Sequence, residues 1–256
     1  MRLRQIALVA NDLAATTTEL TEPLGIEVAF RDPSVGQWGL ENIVAPVGGE
    51  FLEIVAPVQP GTSAGRYIER RGGDGGYMVI LHGDDALRAR ERIMAMGIRA
   101  VWTCDRPEYV ATHFHPRDVG GVLLSVDSVP AVADFNEPMC DWPPANTAWR
   151  DHVKTARVTG IKGVEIQATD PPAMAALWGR ILEREAREDG ARWTLALDNA
   201  EIRFVAVGDD RGPGIRAVDL AAADAPAIAA AARARGLPGD DGAVTLCGTV
   251  FHLVAS

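Results

Sequence analysis

Gln5-Ile6-Ala7-Leu8-Val9-Ala10-Asn11-Asp12, running into a helix-like stretch that ends at Leu24-Gly25-Ile26, decides the fold because its pattern recurs three more times in the chain. Tyr77-Met78-Val79-Ile80-Leu81-His82-Gly83-Asp84 is followed by a helical pattern from Ala86 to Met96, closed by Gly97-Ile98. The interval from Asp12 to Gly25 equals that from Asp84 to Gly97. Gly163 to Asp170 opens a third copy, with Pro171-Pro172 and a helix through Trp178 and Leu182, and Ala217 to Asp224 opens a fourth that ends at Gly236. Each copy couples an apolar strand to an aspartate that caps the helix N-terminus, and a glycine closes the helix where the chain must turn left-handed. Pro171, Pro172 and Pro226 fall in the first helical turn, which tolerates them. A spacing that persists while side chains drift is the signature of repeated architecture.

Strand-like runs follow each helix: Ile26 to Arg31, Gly39 to Val47 and Phe51 to Val55 in the first copy, and Arg99 to Thr103, Tyr109 to His115 and Val122 to Val126 in the second. The later copies are shorter, with Arg192 to Leu197, Ala200 to Val207, Ala243 to Cys247 and Val250 to Val254. The unit is therefore β-α-β-β-β, and the expectation is an α+β fold of four such units paired into two domains. Pro130, Pro138, Pro143 and Pro144 interrupt a segment without periodicity, so residues 131–155 read as a linker between a domain at 1–130 and a second, degenerate one at 156–256. Trp142 and Trp149 predict that this linker packs onto a domain, since a flexible tether has little use for indoles.

Composition narrows the function. The 256 residues are 47% hydrophobic and 23% charged, with a formal net charge of -10 and a mean hydropathy of +0.01, which describes a folded globular chain and speaks against nucleic acid or an anionic membrane as partner. The apolar run at the N-terminus is too short for a signal core or a membrane span, so a cytoplasmic protein is expected. Cys104, Cys140 and Cys247 are an odd number without metal or redox spacing and read as reduced thiols.

Four β-α-β-β-β units resemble the vicinal oxygen chelate superfamily, which includes glyoxalase I, methylmalonyl-CoA epimerase, extradiol dioxygenases and the fosfomycin- and bleomycin-resistance proteins. The resemblance is carried by Phe51-Leu52-Glu53-Ile54-Val55-Ala56-Pro57, by Tyr67-Ile68-Glu69-Arg70-Arg71-Gly72, and by His115-Pro116-Arg117-Asp118-Val119-Gly120-Gly121-Val122. These segments are similar to the epimerase branch, over residues 3 to 130; the second half matches in architecture alone.

The resemblance implies a cavity in each curved half-barrel and a divalent metal (Mn, Fe, Co, Ni or Zn) held by the first and last strands of each unit, which would polarise a substrate carbonyl. Carried onto this chain, it implies Gln5 and Glu53 as metal ligands. In the second unit the matching positions are Tyr77 or Met78, and Ser125, which are poor ligands for a hard ion, so the metal site is weakened. Gly163, Ala217 and His252 leave the second half as scaffold or as a pocket defined by shape alone, and an extradiol dioxygenase is disfavoured.

Glu53, His113 and His115 are the expected catalytic groups, the two histidines sharing one strand face by alternation. Trp38, Tyr77, Arg117 and Ser125 are the expected substrate contacts, with Arg117 offering a fork for an anionic group. The leading expectation is a lyase or epimerase acting on a small acid or thioester; the alternative is a metal-independent protein that sequesters a small molecule. Either acts as a monomer or homodimer.

Overall fold

The computed structural model describes residues 1–255 and contains two seven-stranded sheets. The first half runs β1 (Arg2–Val9), α1 (Leu13–Leu24), β2 (Leu40–Val47), β3 (Glu50–Pro57), α2 (Ser63–Arg71), β4 (Gly75–His82), α3 (Ala86–Ala95), β5 (Ala100–Arg106), β6 (Tyr109–Phe114) and β7 (Leu123–Ser128). The second runs β8 (Val158–Ala168), α4 (Pro171–Leu182), β9 (Ala186–Asp189), β10 (Arg192–Ala196), β11 (Glu201–Ala206), β12 (Gly214–Ala222), α5 (Ala225–Ala234), β13 (Ala243–Leu246) and β14 (Thr249–Ala255). The sheet orders are β2-β3-β1-β4-β7-β6-β5 and β13-β14-β12-β8-β11-β10-β9. In each sheet the opening strands of two units pair antiparallel at the centre, and each opening strand pairs parallel with the last strand of its own unit.

The aspartate caps form in all four units: the side chains of Asp12, Asp85, Asp170 and Asp224 accept the N–H of Ala15, Arg88, Ala173 and Ala227. The second cap is Asp85 rather than Asp84, which sets the register of the second unit against the first. Gly25 closes α1 at φ 66°, a conformation that costs a residue without Cβ nothing.

One continuous apolar core joins the halves. Leu3, Ile6 and Leu8 of β1 share it with Val164 and Ile166 of β8, Val218 and Leu220 of β12, and with residues from α1, α3, α4 and α5. Arginines clasp the seam. The Arg71 guanidinium donates to the carbonyls of Arg211 and Pro213 at 3.0 and 2.7 Å, and Arg211 returns bonds to the carbonyls of Arg71, Gly73, Asp74 and Gly248. Gly76 is required at this seam, because a Cβ there would lie 2.4 Å from that of Ile215.

The segment between the sheets is a strap folded back on the first half. Buried Arg2 donates to the carbonyl of Asn136 at 3.2 Å, and buried Arg4 to those of Pro138 and Cys140 at 2.9 and 2.7 Å. Arg4 also lies over the rings of Phe51, Trp142 and Trp149, 5.2, 5.3 and 5.6 Å from their centroids, so a single cation both bonds the strap backbone and faces its two fully buried indoles. Trp142 and Trp149 pack with Ala7, Val44, Met78 and Ile80 in a second cluster, separate from the shared core, on the opposite face of the first sheet.

Three elements depart from the expectation. Ile26 to Arg31 forms no strand: Phe30 alone bridges Val44, and the Asp32 N–H turns to the side-chain oxygen of Asn42, which diverts the chain from the ladder. Helix α2 joins the two units of the first half; Thr62 caps it and Gly72 ends it. Short β9 adds an edge strand to the second sheet. Among the described residues no helix is long and apolar enough to cross a membrane.

Candidate functional site

Strand register identifies which side chains meet on the concave face. With Asp85 as cap, the position matching Gln5 in the second unit is Met78, since each precedes its cap by the same interval. Glu53 pairs with Ala7, and the matching pair in the second unit is Ser125 with Ile80. The four equivalent positions are therefore Gln5, Glu53, Met78 and Ser125. Tyr77 falls in a register shift where Ala7 pairs Met78 but Leu8 pairs Gly76, and its ring meets Tyr67 of α2 edge-on at 5.0 Å.

Glu53 lies at the centre of a polar chain. Gln5 Nε2 donates to Glu53 Oε2 at 2.8 Å, and Asn42 Nδ2 donates to Oε1 at 2.6 Å. Both amide orientations are determined by a second bond: Gln5 Oε1 accepts the Trp142 indole N–H at 2.9 Å, and Asn42 Oδ1 accepts the Asp32 N–H at 2.8 Å. Each NH2 must therefore face the carboxylate. Burial pushes the Glu53 carboxyl above its usual range, and the two amide donors pull against that rise. The result is a desolvated carboxylate held in place by neutral donors.

This set does not fit a divalent-metal cage. Both Glu53 oxygens are met by amide hydrogens, whose positive ends would oppose a cation, and Met78 and Ser125 supply a thioether and a hydroxyl where hard ions need anionic or carbonyl oxygen or imidazole. Ser125 is further committed, donating to the Asp127 carboxylate. Among the described residues no three histidine, cysteine, aspartate or glutamate side chains gather as a metal-binding group.

Asp127 is a floor residue that the sequence reading missed. It is fully buried, accepts from Ser125 and from the Tyr109 phenol, and burial pushes its carboxyl up to about 7 against those bonds. The Tyr109 ring stands edge-on to Trp142 at 5.7 Å, so the Asp127 group and the Glu53 chain meet at one indole. The alternation Ser125-Val126-Asp127 was the available signal, because it puts both polar side chains on one face.

Aromatic rings form the rim. Trp38 ends a 3-10 turn, Pro33–Trp38, and meets Trp102 of β5 at 5.3 Å and His113 of β6 at 6.1 Å, while Trp102 and His113 are 4.5 Å apart. Trp38 is 37% exposed, so this wall faces solvent on its outer side. Burial pushes the His113 imidazole down to about 3, which keeps it neutral. Helix α2 covers one end of the bowl through Tyr67 and Ile68 against Val9 and Val55, and the strap covers the other through Trp142 and Trp149.

The structure brings Gln5, Glu53, Tyr77, Ser125, His113 and Trp38 to this bowl. His115 and Arg117 lie elsewhere. β6 ends at Phe114, so alternation no longer applies to His115, whose Nδ1 accepts the Arg117 N–H at 3.1 Å. The turn they occupy packs on the second half, where Trp178 of α4 donates to the Val119 carbonyl at 3.0 Å.

In the second sheet the corresponding positions are Gly163, Arg203, Ala217 and His252. Arg203 makes a bidentate pair with Asp219, whose Oδ1 also meets His252 Nδ1 at 3.0 Å. Glu201 and Glu165 flank the same guanidinium at 3.1 and 3.6 Å. A Cβ on Gly163 would lie 2.5 Å from Asp219 Oδ2, so the ion pair fills the place of a side chain there.

Comparison with known proteins agrees with this architecture. Residues 6–182 match the family described as glyoxalase-like domain. An ethylmalonyl-CoA/methylmalonyl-CoA epimerase from Cereibacter sphaeroides is 24% identical over 134 residues, covering 50% of this chain and 98% of that protein. A mutant of 4-hydroxymandelate synthase from Streptomyces coelicolor superposes with a TM-score of 0.66 at 16% identity, over 92% of this chain and 75% of the other. A hypothetical protein from Staphylococcus aureus superposes with a TM-score of 0.67 at 9% identity, over 99% of this chain and 98% of the other. These two show the fold alone, and the family match spans well over half of the sequence: the chain belongs to the glyoxalase-like domain family, with a vicinal oxygen chelate fold.

Proposed function

We propose that the half spanning residues 1–130 catalyses proton transfer at a carbon next to a carbonyl, in an isomerase- or lyase-type reaction on a small acid or its thioester, with Glu53 as general base and without a divalent metal. The observation that carries this reading is the clamp on Glu53: a desolvated carboxylate, fixed by two amides whose own oxygens are occupied, is a base positioned among apolar side chains between helix α2 and the strap. Each amide keeps a second N–H. Those hydrogens are the donors available to the oxyanion that forms when the proton leaves, in the role the superfamily's metal would otherwise take. Glu53 takes the proton from carbon and returns it to carbon or to the leaving group, so no redox partner is needed. Tyr77, Met78, Trp38 and neutral His113 shape the apolar wall.

The kinship to an epimerase of acyl-CoA substrates supports thioesters as the first compounds to test. Incubation of the protein with a 2-methyl-branched dicarboxylic acyl thioester in deuterium oxide should place deuterium at the 2-position, and Glu53→Gln should abolish that exchange while leaving the melting temperature within a few degrees. Exchange undiminished in Glu53→Gln would overturn the assignment of the base.

A second reading rests on the rim. Trp38, Trp102 and His113 form a contiguous aromatic wall suited to holding a flat apolar ligand without turning it over. A binding protein would lose affinity on Trp38→Ala and tolerate Glu53→Gln.

A further inference from the structure

Helix α2 brings two arginines to the end of the bowl. Arg66 and Arg70 are one helical turn apart and exposed, and both stand near enough to the Tyr77 phenol to pull its pKa downward against burial. The Arg70 guanidinium rests over the Tyr67 ring at 5.0 Å, and Tyr67 in turn packs on Val55, the next inward residue along β3 from Glu53. Arg66 bonds only to neighbours in its own turn, among them the Ser63 hydroxyl at 3.1 Å. Neither arginine makes an ion pair with a carboxylate among the described residues, and Glu69 on the same turn pairs with neither. In a chain of net charge -10, two adjacent guanidinium groups left without acids beside the helix that borders the Glu53 face are a feature to be explained.

Charge placement explains it. The phosphates of an anionic carrier would be repelled by ionised Glu53, so that charge must be held at a distance from the base. From Glu53 to Val55 is one inward step along the strand, about 7 Å, and the Tyr67 ring separates Val55 from Arg70. We propose that Arg66 and Arg70 dock a phosphate-bearing tail of the ligand, leaving its acyl end to reach Glu53 along the face lined by Tyr67 and Tyr77. A phosphate or pyrophosphate suits two guanidinium forks better than one carboxylate does, because it offers more acceptor oxygens and more charge to share. This rests on the thioester reading above: a thioester carrier has its phosphates remote from the acyl carbon.

The test is calorimetric titration of the whole chain with coenzyme A, with pantetheine, which has the same thiol arm but no phosphates, with pyrophosphate and with succinate. Coenzyme A should bind at least tenfold more tightly than pantetheine. That advantage should vanish in Arg66→Ala/Arg70→Ala, persist in Arg66→Lys/Arg70→Lys at reduced strength, and be unaffected in Arg88→Ala/Arg187→Ala, a control removing two other exposed arginines. Pyrophosphate should compete with coenzyme A and succinate should not. Equal binding of coenzyme A and pantetheine, or full coenzyme A affinity in the double alanine variant with an unchanged melting temperature, would overturn the proposal. Competition by succinate rather than pyrophosphate would do so as well, by assigning the pair to a carboxylate. Glu53→Gln should bind coenzyme A like the wild type, so a failure of the base assignment and a failure of the docking pair give different results.

Discussion

The Trp142 indole N–H donates to Gln5 Oε1 over 2.9 Å, and through that bond the strap between the halves determines which end of the Gln5 amide meets Glu53. Trp142→Phe keeps an aromatic ring against Phe51 and Tyr109 but removes the donor. Gln5 is then free to turn its oxygen toward the carboxylate, which disfavours the charged form and raises the pKa of the base. The expected outcome is a stability loss of about 1 kcal/mol together with an upward move of the acidic limb of the pH–rate profile. A purely structural role for Trp142 would lower stability and leave that limb in place.

The four-position comparison makes a gain-of-function prediction. Met78→His with Ser125→Glu supplies an imidazole and a second carboxylate at the positions matching Gln5 and Glu53. Combined with Trp142→Phe, which frees the Gln5 amide to turn its oxygen to a cation, the variant should take up close to one equivalent of Mn, Co or Zn in dialysis, where the wild type takes up much less, and Glu53→Ala in that background should remove most of it. Binding by the wild type equal to that of the variant would contradict the fit argument.

The fold was legible because it is written in local chemistry repeated four times. Aspartate caps recur in all four units, prolines open α4 and α5, and glycines follow α1, α3 and α5, whereas α4 is closed by Glu183 at φ 54° with no glycine. These signals act within a few residues, so a single sequence displays them. Asn42 and Asp127 were not legible, because their roles depend on strand pairing: Asn42 reaches Glu53 across the β2–β3 ladder, and Asp127 acquires Tyr109 from β6. His115 was misplaced for the opposite reason, since alternation was extended one residue past the end of β6. That Trp142 would pack on a domain was readable, but its bond to Gln5 spans 137 residues of sequence. Which of Tyr77 and Met78 matches Gln5 depended on which of two adjacent aspartates caps α3, a choice that only the backbone geometry makes.

Asp127 makes stability depend on pH. Its carboxyl keeps its proton up to about 7 in the folded chain, against 3.8 for an ordinary aspartate. The folded state therefore binds more protons than the unfolded one between those values, and stability falls as pH rises from about 4 to 7. The loss amounts to as much as about 4 kcal/mol and is complete above the folded value. Urea denaturation of the wild type and Asp127→Asn at pH 5, 6, 7 and 8 checks this. The difference between the two proteins should move in favour of the variant as pH rises; parallel curves would show that Asp127 is ionised throughout.

In the second half, Arg203 stands where the first half has Glu53, and its pair with Asp219 occupies the space that a side chain on Gly163 would need. Burial would raise the Asp219 carboxyl, but the bonds from His252 and Arg203 outweigh it and hold it down at about 2. Removing the cation alone leaves buried Asp219 with His252 alone and buried Glu165 with Arg216 alone, and takes the guanidinium from Glu201 as well. Arg203→Ala should therefore cost about 3–5 kcal/mol. Because Asp219 must be ionised to hold the pair, the wild type should lose this stabilisation as pH falls from about 4 toward 2, whereas Arg203→Ala should lose less over that interval. Replacing the pair together, as Arg203→Met with Asp219→Leu, removes buried charge of both signs and should recover part of the loss, with Arg216 left to hold Glu165 at 3.1 Å. Chemical denaturation of the three variants, with deuterium exchange at the first-half site as a parallel readout, separates a scaffold from a second active centre. A scaffold predicts that exchange follows the folded fraction alone, and the double variant should exchange like the wild type.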